Sequence, residues 1–187
     1  MKVKKKTVFN VFLIVLVLSF FVTPLGHYAK RFLISTFAFS PTVIEKENRA
    51  QLSNYNWRLK DENWNFFQFD KSIGKVVFVN FWASWRLPCE AELPGIQKLY
   101  DQYNDKVDFY IITNEERPDV EAFMKKHDFN FPVTYLIIGD KAPIIPPEKV
   151  PYTYVIDKKG FIVMENDGIA DWNSSAVTNL LDQLISE

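Results

Sequence analysis

"NFWASWRLPCEAELP", residues 80–94, is the stretch on which the reading of this chain turns. An apolar run leads into it: "KVVFVNFWAS", residues 75–84, is β-branched and aromatic almost throughout. That is the pattern of a strand buried on both faces. Pro88 immediately precedes Cys89, the one cysteine in the sequence, and a helix is expected over Leu87–Asn104. Its apolar positions Ala91, Ile96, Leu99 and Tyr103 fall mostly at helical spacing, with Pro94 inside, where a kink is expected.

Working outward, "KVDFYIITN" (106–114) reads as a second buried strand. "RPDVEAFMKKHDF" (117–129) reads as a helix with Pro118 in its first turn and Val120, Phe123 and Met124 facing inward. "VPYTYVID" and "GFIVMEND" are strands joined by the tight turn "DKKG". "DWNSSAVTNLLDQLISE" closes the chain as an amphipathic helix, with Val177, Leu180, Leu181 and Leu184 on one face. Upstream, "WRLK" and "NFFQFD" flank the polar turn "DENWN" and suggest a hairpin. Strand–helix–strand–helix, then a β-hairpin and a helix, is the order of a thioredoxin fold with an added N-terminal hairpin. The expected class is α/β, a central mixed sheet flanked by helices.

The first 40 residues differ in kind. "MKVKKKT" is basic, and no charge occurs from Val8 to Leu25. This run is slightly short of the roughly 20 residues that span a bilayer and longer than a typical signal-peptide core of about 7–15. No A-x-A site closes it, so an uncleaved signal anchor is favoured over a cleaved peptide. The lysines ahead of it should stay cytoplasmic, placing the C-terminal domain on the extracytoplasmic side of the cell membrane as a single-pass protein. "RFLISTFAF" (31–39) offers a short amphipathic helix at the interface, or an extension of the anchor. The expected organisation is residues 1–40 as anchor and juxtamembrane segment, 41–56 as a polar linker, and 57–187 as the domain.

Of the 22 bases, six lie in residues 1–31 with no acid, leaving 16 bases against 23 acids beyond. That acidic body has no basic stripe, so no nucleic-acid partner is expected. A single cysteine also excludes a disulfide within these 187 residues.

"VVFVNFWASW" followed by x-x-Pro-Cys-x-x-Glu-x-Pro resembles the TlpA/ResA branch of the thioredoxin superfamily, membrane-tethered thiol-disulfide oxidoreductases of the bacterial envelope. Trp82, Ala83, Trp85, Pro88, Cys89, Glu92 and Pro94 fall where that pattern puts them, and the resemblance covers roughly residues 52–185. "KVPYTYVID" matches the later element in which a cis-proline faces the active-site turn, which makes Pro151 the cis-proline candidate; Tyr152 stands where Thr is commoner.

One position departs. The resemblance implies a C-x-x-C pair whose first thiolate, at a helix start, attacks a substrate disulfide and is then released by the second. Arg86 stands at the attacking position, and a guanidinium is neither nucleophile nor reductant. Cys89 is the one catalytic candidate left. With Arg86 one helical turn away it offers a lowered-pKa thiol acting with a partner's thiol; the reading that carries more weight is a shielded remnant packed as a small hydrophobe.

His27 at the membrane edge and His127 near a helix end have no companion ligand in the sequence, so neither a metal site nor a cofactor is expected. Glu90 and Glu92, two apart on a helix, do not face each other. The resemblance implies for Glu92 a buried family carboxylate that assists proton transfer; a solvated side chain, or one facing the positive end of the helix, is an equal reading. Charge runs such as "TNEERPD" read as solvated, and the Pro-rich "DKAPIIPPEK" as a rigid connector or a wall of a groove.

Three function classes follow: an envelope thiol-disulfide oxidoreductase, a non-catalytic binding module, and a structural anchor. The second is favoured. Its expected partner is an envelope protein or extended peptide held beside the cis-proline by Trp85, Arg86, Leu87, Pro88, Val150 and Pro151.

Overall fold

The computed structural model describes residues 5–144 and 147–187. Lys2 and Lys4 of the basic start, and Ile145 and Pro146 of the Pro-rich loop, lie outside the described residues. The chain opens with helix α1 (Lys5–Val22), of mean hydropathy 2.0 and with none of its residues buried. Helix α2 (Pro24–Thr36) follows after a one-residue break at Thr23, whose hydroxyl accepts from the Gly26 amide at 3.2 Å and caps the new helix. The interfacial helix expected over 31–39 is thus the second half of a longer helix that begins at Pro24.

The seven described strands make one mixed sheet: β1 (Arg58–Lys60), β2 (Phe66–Gln68), β3 (Val76–Phe81), β4 (Val107–Thr113), β5 (Val133–Leu136), β6 (Tyr152–Ile156) and β7 (Ile162–Asp167). Their order is β2-β1-β5-β4-β3-β6-β7, with β3, β4 and β5 parallel and the outer pairings antiparallel. Helices α3 (Leu87–Tyr103), α4 (Arg117–His127) and α5 (Ser175–Ser186) complete the domain. This is the expected thioredoxin-type arrangement, with the β1–β2 hairpin added. Strand β5 was not anticipated; it fills the gap between the hairpin and β4.

Strand β3 is central because every one of its residues is buried. Alternation sends Val76 and Phe78 to the face packed by α3, α4 and α5, with Leu93, Val120, Val177 and Leu181. Val77, Val79 and Phe81 go to the other face, which Trp57, Leu59, Phe69 and Tyr154 cover. Each such large side chain withdrawn from water contributes roughly 1.5–3 kcal/mol. The added hairpin region is therefore part of the core through Trp57 and Phe69.

Two turns show why these residues end strands. Asp61 Oδ1 accepts from the amides of Asn63 and Asn65, closing the "DENWN" turn. In "DKKG", Asp157 Oδ1 accepts from the amides of Lys159 and Phe161, while Gly160 takes φ +84°. That positive φ favours glycine, and a Cβ there would also push the Tyr55 hydroxyl, 2.8 Å away, aside. The polar segment 41–56 runs along the outer edge of β7: Ile44 N donates to Val163 O at 2.8 Å, and Ile162 N to Ala50 O at 2.8 Å.

Candidate functional site

The link between β3 and α3 is held from below. Trp82 N donates to Ile112 O on β4 at 2.9 Å. Ser84 donates twice to the Glu115 carboxylate, from its amide at 2.6 Å and its hydroxyl at 2.7 Å. The "TNEERPD" run is therefore not simply solvated: Glu115 braces the site loop, and Thr113 Oγ1 in turn donates to it at 3.2 Å. Nothing local in the sequence marks this pairing, because Ser84 and Glu115 are brought together only by the β3–β4 register.

Arg86 is the residue at the start of α3, and Pro88 follows within the first turn, where a missing amide hydrogen costs nothing. The Arg86 side chain leaves the helix end uncapped. It reaches instead across to the loop before β6, where Nε and Nη2 donate to the carbonyl of Val150 at 3.3 and 3.2 Å. Its guanidinium carbon also lies 5.4 Å from the ring centroid of Trp85, which is 71% exposed. The Val150–Pro151 peptide is cis. Arg86 thus links exposed Trp85 to half-buried Val150. Pro151, expected on this surface, is instead buried next to it, while Leu87 and Pro88 sit half-buried on the first turn.

Cys89 lies behind that turn with no exposed surface. Burial pushes its thiol up to about 12; the Ala83 backbone bond and Arg86 pull the other way and lose. The thiolate that both nucleophilic attack and metal binding require is strongly disfavoured here.

Glu92 is also buried, 3% exposed, and is not solvated. It accepts from Asn80 Nδ2 at 2.9 Å, Trp172 Nε1 at 3.0 Å and Ala170 N at 3.3 Å. Burial still raises it to about 7 against those three donors. Among the described residues Asn80 Oδ1 has no hydrogen-bond partner.

His27 and His127, distant in the sequence, both approach Glu90 in the structure. His27 Nε2 lies 2.9 Å from Glu90 Oε2, Arg31 Nη1 lies 3.3 Å from Glu90 Oε1, and His127 Nε2 lies 3.7 Å from the same Oε1. Glu90, buried in the first turn of α3, therefore ties α2 to that helix, while His127 Nε2 lies near it without a hydrogen bond. Burial, the leading cause, lowers the His127 pKa, with Arg31 reinforcing it and Glu90 opposing. These contacts with Glu90 span 37 residues of sequence to His127 and 63 to His27, which is why no local pattern announces them. Among the described residues no group of His, Cys, Asp or Glu is arranged to hold a metal ion.

With this geometry in view, comparison with known proteins is informative. Residues 53–164 match the model of the AhpC/TSA family. The chain is 35% identical over 97 residues to "Thiol-disulfide oxidoreductase ResA" of Bacillus thuringiensis subsp. konkukian, a match covering 51% of this chain and 56% of that one. It is 38% identical over 96 residues to "Thioredoxin-like protein YneN" of Bacillus subtilis, covering 48% and 54%. The chain thus spans about half the length of these curated relatives. Among solved structures, a DsbF homologue from Corynebacterium diphtheriae superposes with a TM-score of 0.62 at 18% identity, over 78% of this chain and 93% of that one. A putative DsbE from Chlorobium tepidum gives 0.58 at 16%, over 79% and 96%. At such identities these two speak for the fold alone. The sheet order, the helix-start site facing a proline loop and the match over 53–164 together make this chain a member of the AhpC/TSA family, in its ResA-like, thioredoxin-fold form.

Proposed function

We propose that this chain is a membrane-tethered thioredoxin-like protein that holds an extended peptide or envelope protein beside Pro151 and performs no disulfide exchange of its own. The observation that carries the reading is the pair at the mouth of the site. A permanently protonated guanidinium occupies the position from which a thiolate would attack, and Cys89 is sealed behind it. The ResA relatives are thiol-disulfide oxidoreductases by name, so the scaffold is one that serves disulfide chemistry; this site lacks its attacking atom.

What remains supports recognition. The backbone at Val150 lies ahead of β6, where an incoming strand pairs by main-chain hydrogen bonds that need no cysteine. Arg86 now rests on the Val150 carbonyl. On arrival of a peptide it exchanges that bond for a carbonyl or carboxylate of the partner, to which its fork fits bidentately. Exposed Trp85 supplies apolar area at the rim. Helix α1 supplies the tether, and its lysine-rich start supports an extracytoplasmic domain.

The test uses the full-length protein in its membrane, with a photo-crosslinking amino acid at position 85. Crosslinked partner bands are expected, weakened in Arg86→Ala, together with no turnover of a protein disulfide by the wild type. Disulfide turnover by the wild type overturns the proposal in favour of Cys89 acting with a partner thiol. Absence of any crosslinked species leaves the anchor role.

A further inference from the structure

Helix α2 presents two unlike faces, and the usual sense is reversed. Its charged and polar side chains His27 and Arg31 point at the domain, onto Glu90. Its large apolar side chains are exposed, Leu25 by 79%, Tyr28 57%, Phe32 68% and Leu33 46%, with Tyr28 and Phe32 also edging a cavity against Ala91, Pro94 and Gly95 of α3. Positions 25, 28, 32 and 33 share one face of a helix. Phe37 and Phe39, just beyond the helix end, are also exposed. An apolar face on this scale is left uncovered in water only at a cost.

From this we infer that the outward face of α2 lies in the lipid interface, so that α2 rests flat on the bilayer and the domain rides on its polar side. This rests on reading α1 as a membrane span, and the face is continuous with that span. Only Thr23 separates the two helices, and they meet closely at Gly26, where any Cβ would overlap the Phe20 carbonyl. That contact lets α2 turn off the axis of α1 instead of extending it into water. Lys30 lies over the Phe20 and Phe21 rings at 5.9 and 5.7 Å, a cation at the end of the span where headgroups lie. The Glu90 cluster then fixes α3 on the other side of α2, which sets the start of α3, with Arg86, about one helix diameter of 10–12 Å from the lipid surface.

The experiment places single nitroxide labels, through introduced cysteines in a Cys89→Ala background, on full-length protein in phospholipid vesicles. Positions are Leu25, Phe32 and, as an aqueous reference, Asn63 in the β1–β2 turn. The ratio of oxygen to nickel-chelate collisions at 25 and 32 is expected to exceed that at 63 at least tenfold. In Glu90→Ala a label at Ile34 gains mobility while the label at 32 keeps its lipid signature. Water-like ratios at 25 and 32 in protein that stays membrane-bound overturn the inference, as does strong dipolar coupling between labels of two copies, which assigns the face to self-association. Release of the protein by alkaline wash sinks the span and this inference together. The crosslinking result at position 85 is independent of all these outcomes.

Discussion

The guanidinium of Arg86 closes onto the carbonyl of Val150, the residue just before Pro151, with Nε at 3.3 Å and Nη2 at 3.2 Å. The start of α3 and the loop ahead of β6 are thereby joined through one side chain. The loop is also held by Val150 packing on the core and by the Pro151 carbonyl, which accepts from Gly168 N at 3.0 Å.

Arg86→Ala is expected to lower stability by about 1 kcal/mol, below the roughly 1.5–3 kcal/mol of a hydrogen bond to a charged group because the side chain is half-exposed to solvent. The larger effect is local. Amide exchange over residues 147–152 should accelerate at least tenfold, with β3 unchanged. If exchange there does not move, the bond is not what holds the loop.

Cys89 should be a slow thiol. With its pKa pushed up to about 12, the thiolate fraction at pH 8 is on the order of a thousandfold below that of a free cysteine of pKa about 8.5. Labelling of folded protein should lag that of denatured protein by at least this factor. Rapid labelling of the folded form would restore a single-thiol mechanism.

Arg31→Ala should free α2 without unfolding the domain. Removing one partner of a buried pair usually costs about 3–5 kcal/mol. Here Glu90 has an escape: once α2 lifts, its carboxylate meets water and the positive end of α3. The expected result is at least tenfold faster exchange across residues 24–36 and a melting temperature only a few degrees lower. Collapse of the whole domain would show that the cluster is core, not clamp.

How far this was legible in the sequence depends on the range of each interaction. Strand β3 and helix α3 announce themselves because "VVFVNF" and the residues after Pro88 carry their own periodicity. Strand β5 did not, since four residues between Pro132 and a Gly-Asp turn become a strand only through pairing with β1 and β4. Arg86, Cys89 and Pro151 were legible as a motif, but the Arg86–Val150 bond was not. Glu90 with His27, Arg31 and His127 was missed for the same reason as Glu115 with Ser84: charged residues that look solvated become partners only when distant elements pack. Local sequence does not separate a buried Glu92 from a solvated one, and its bond to Trp172, 80 residues away, excludes the solvated side chain alone.

Glu92 gives the pH dependence a sign. Its folded pKa, about 7, stands above the ordinary value of 4.5, so folding favours the protonated form. The stability it contributes is complete below about pH 4.5 and is lost as pH rises through about 7. The shift corresponds to roughly 3 kcal/mol across that window, at 1.36 kcal/mol per unit. Thermal unfolding in detergent from pH 5 to 8 should show wild type losing stability relative to Glu92→Gln as pH rises. A constant difference between the two across the window would mean that Glu92 titrates normally.

Arg86→Cys should recover part of the chemistry that the ResA-like scaffold serves. Position 86 sits at the start of α3, where free amide hydrogens and the positive helix end stabilise a thiolate. Cys89 is three residues on, within the first turn, a spacing from which two cysteines reach disulfide geometry with Cα atoms about 4.4–6.8 Å apart. Its high pKa suits a resolving thiol, which is needed only after a mixed disulfide has formed. Glu92, poised near neutrality beneath, is a group able to take its proton. The substitution also removes the bond to Val150, so the carbonyl beside Pro151 becomes free to receive substrate. The measurements are loss of two thiols on oxidation of the variant, its disulfide potential, and reduction of a protein disulfide by variant and wild type in parallel. The variant is expected to close its disulfide and turn over slowly while the wild type stays inert. Failure of the variant to close would mean that the first turn of α3 has moved away from disulfide geometry. Turnover by the wild type would mean that Cys89 alone suffices.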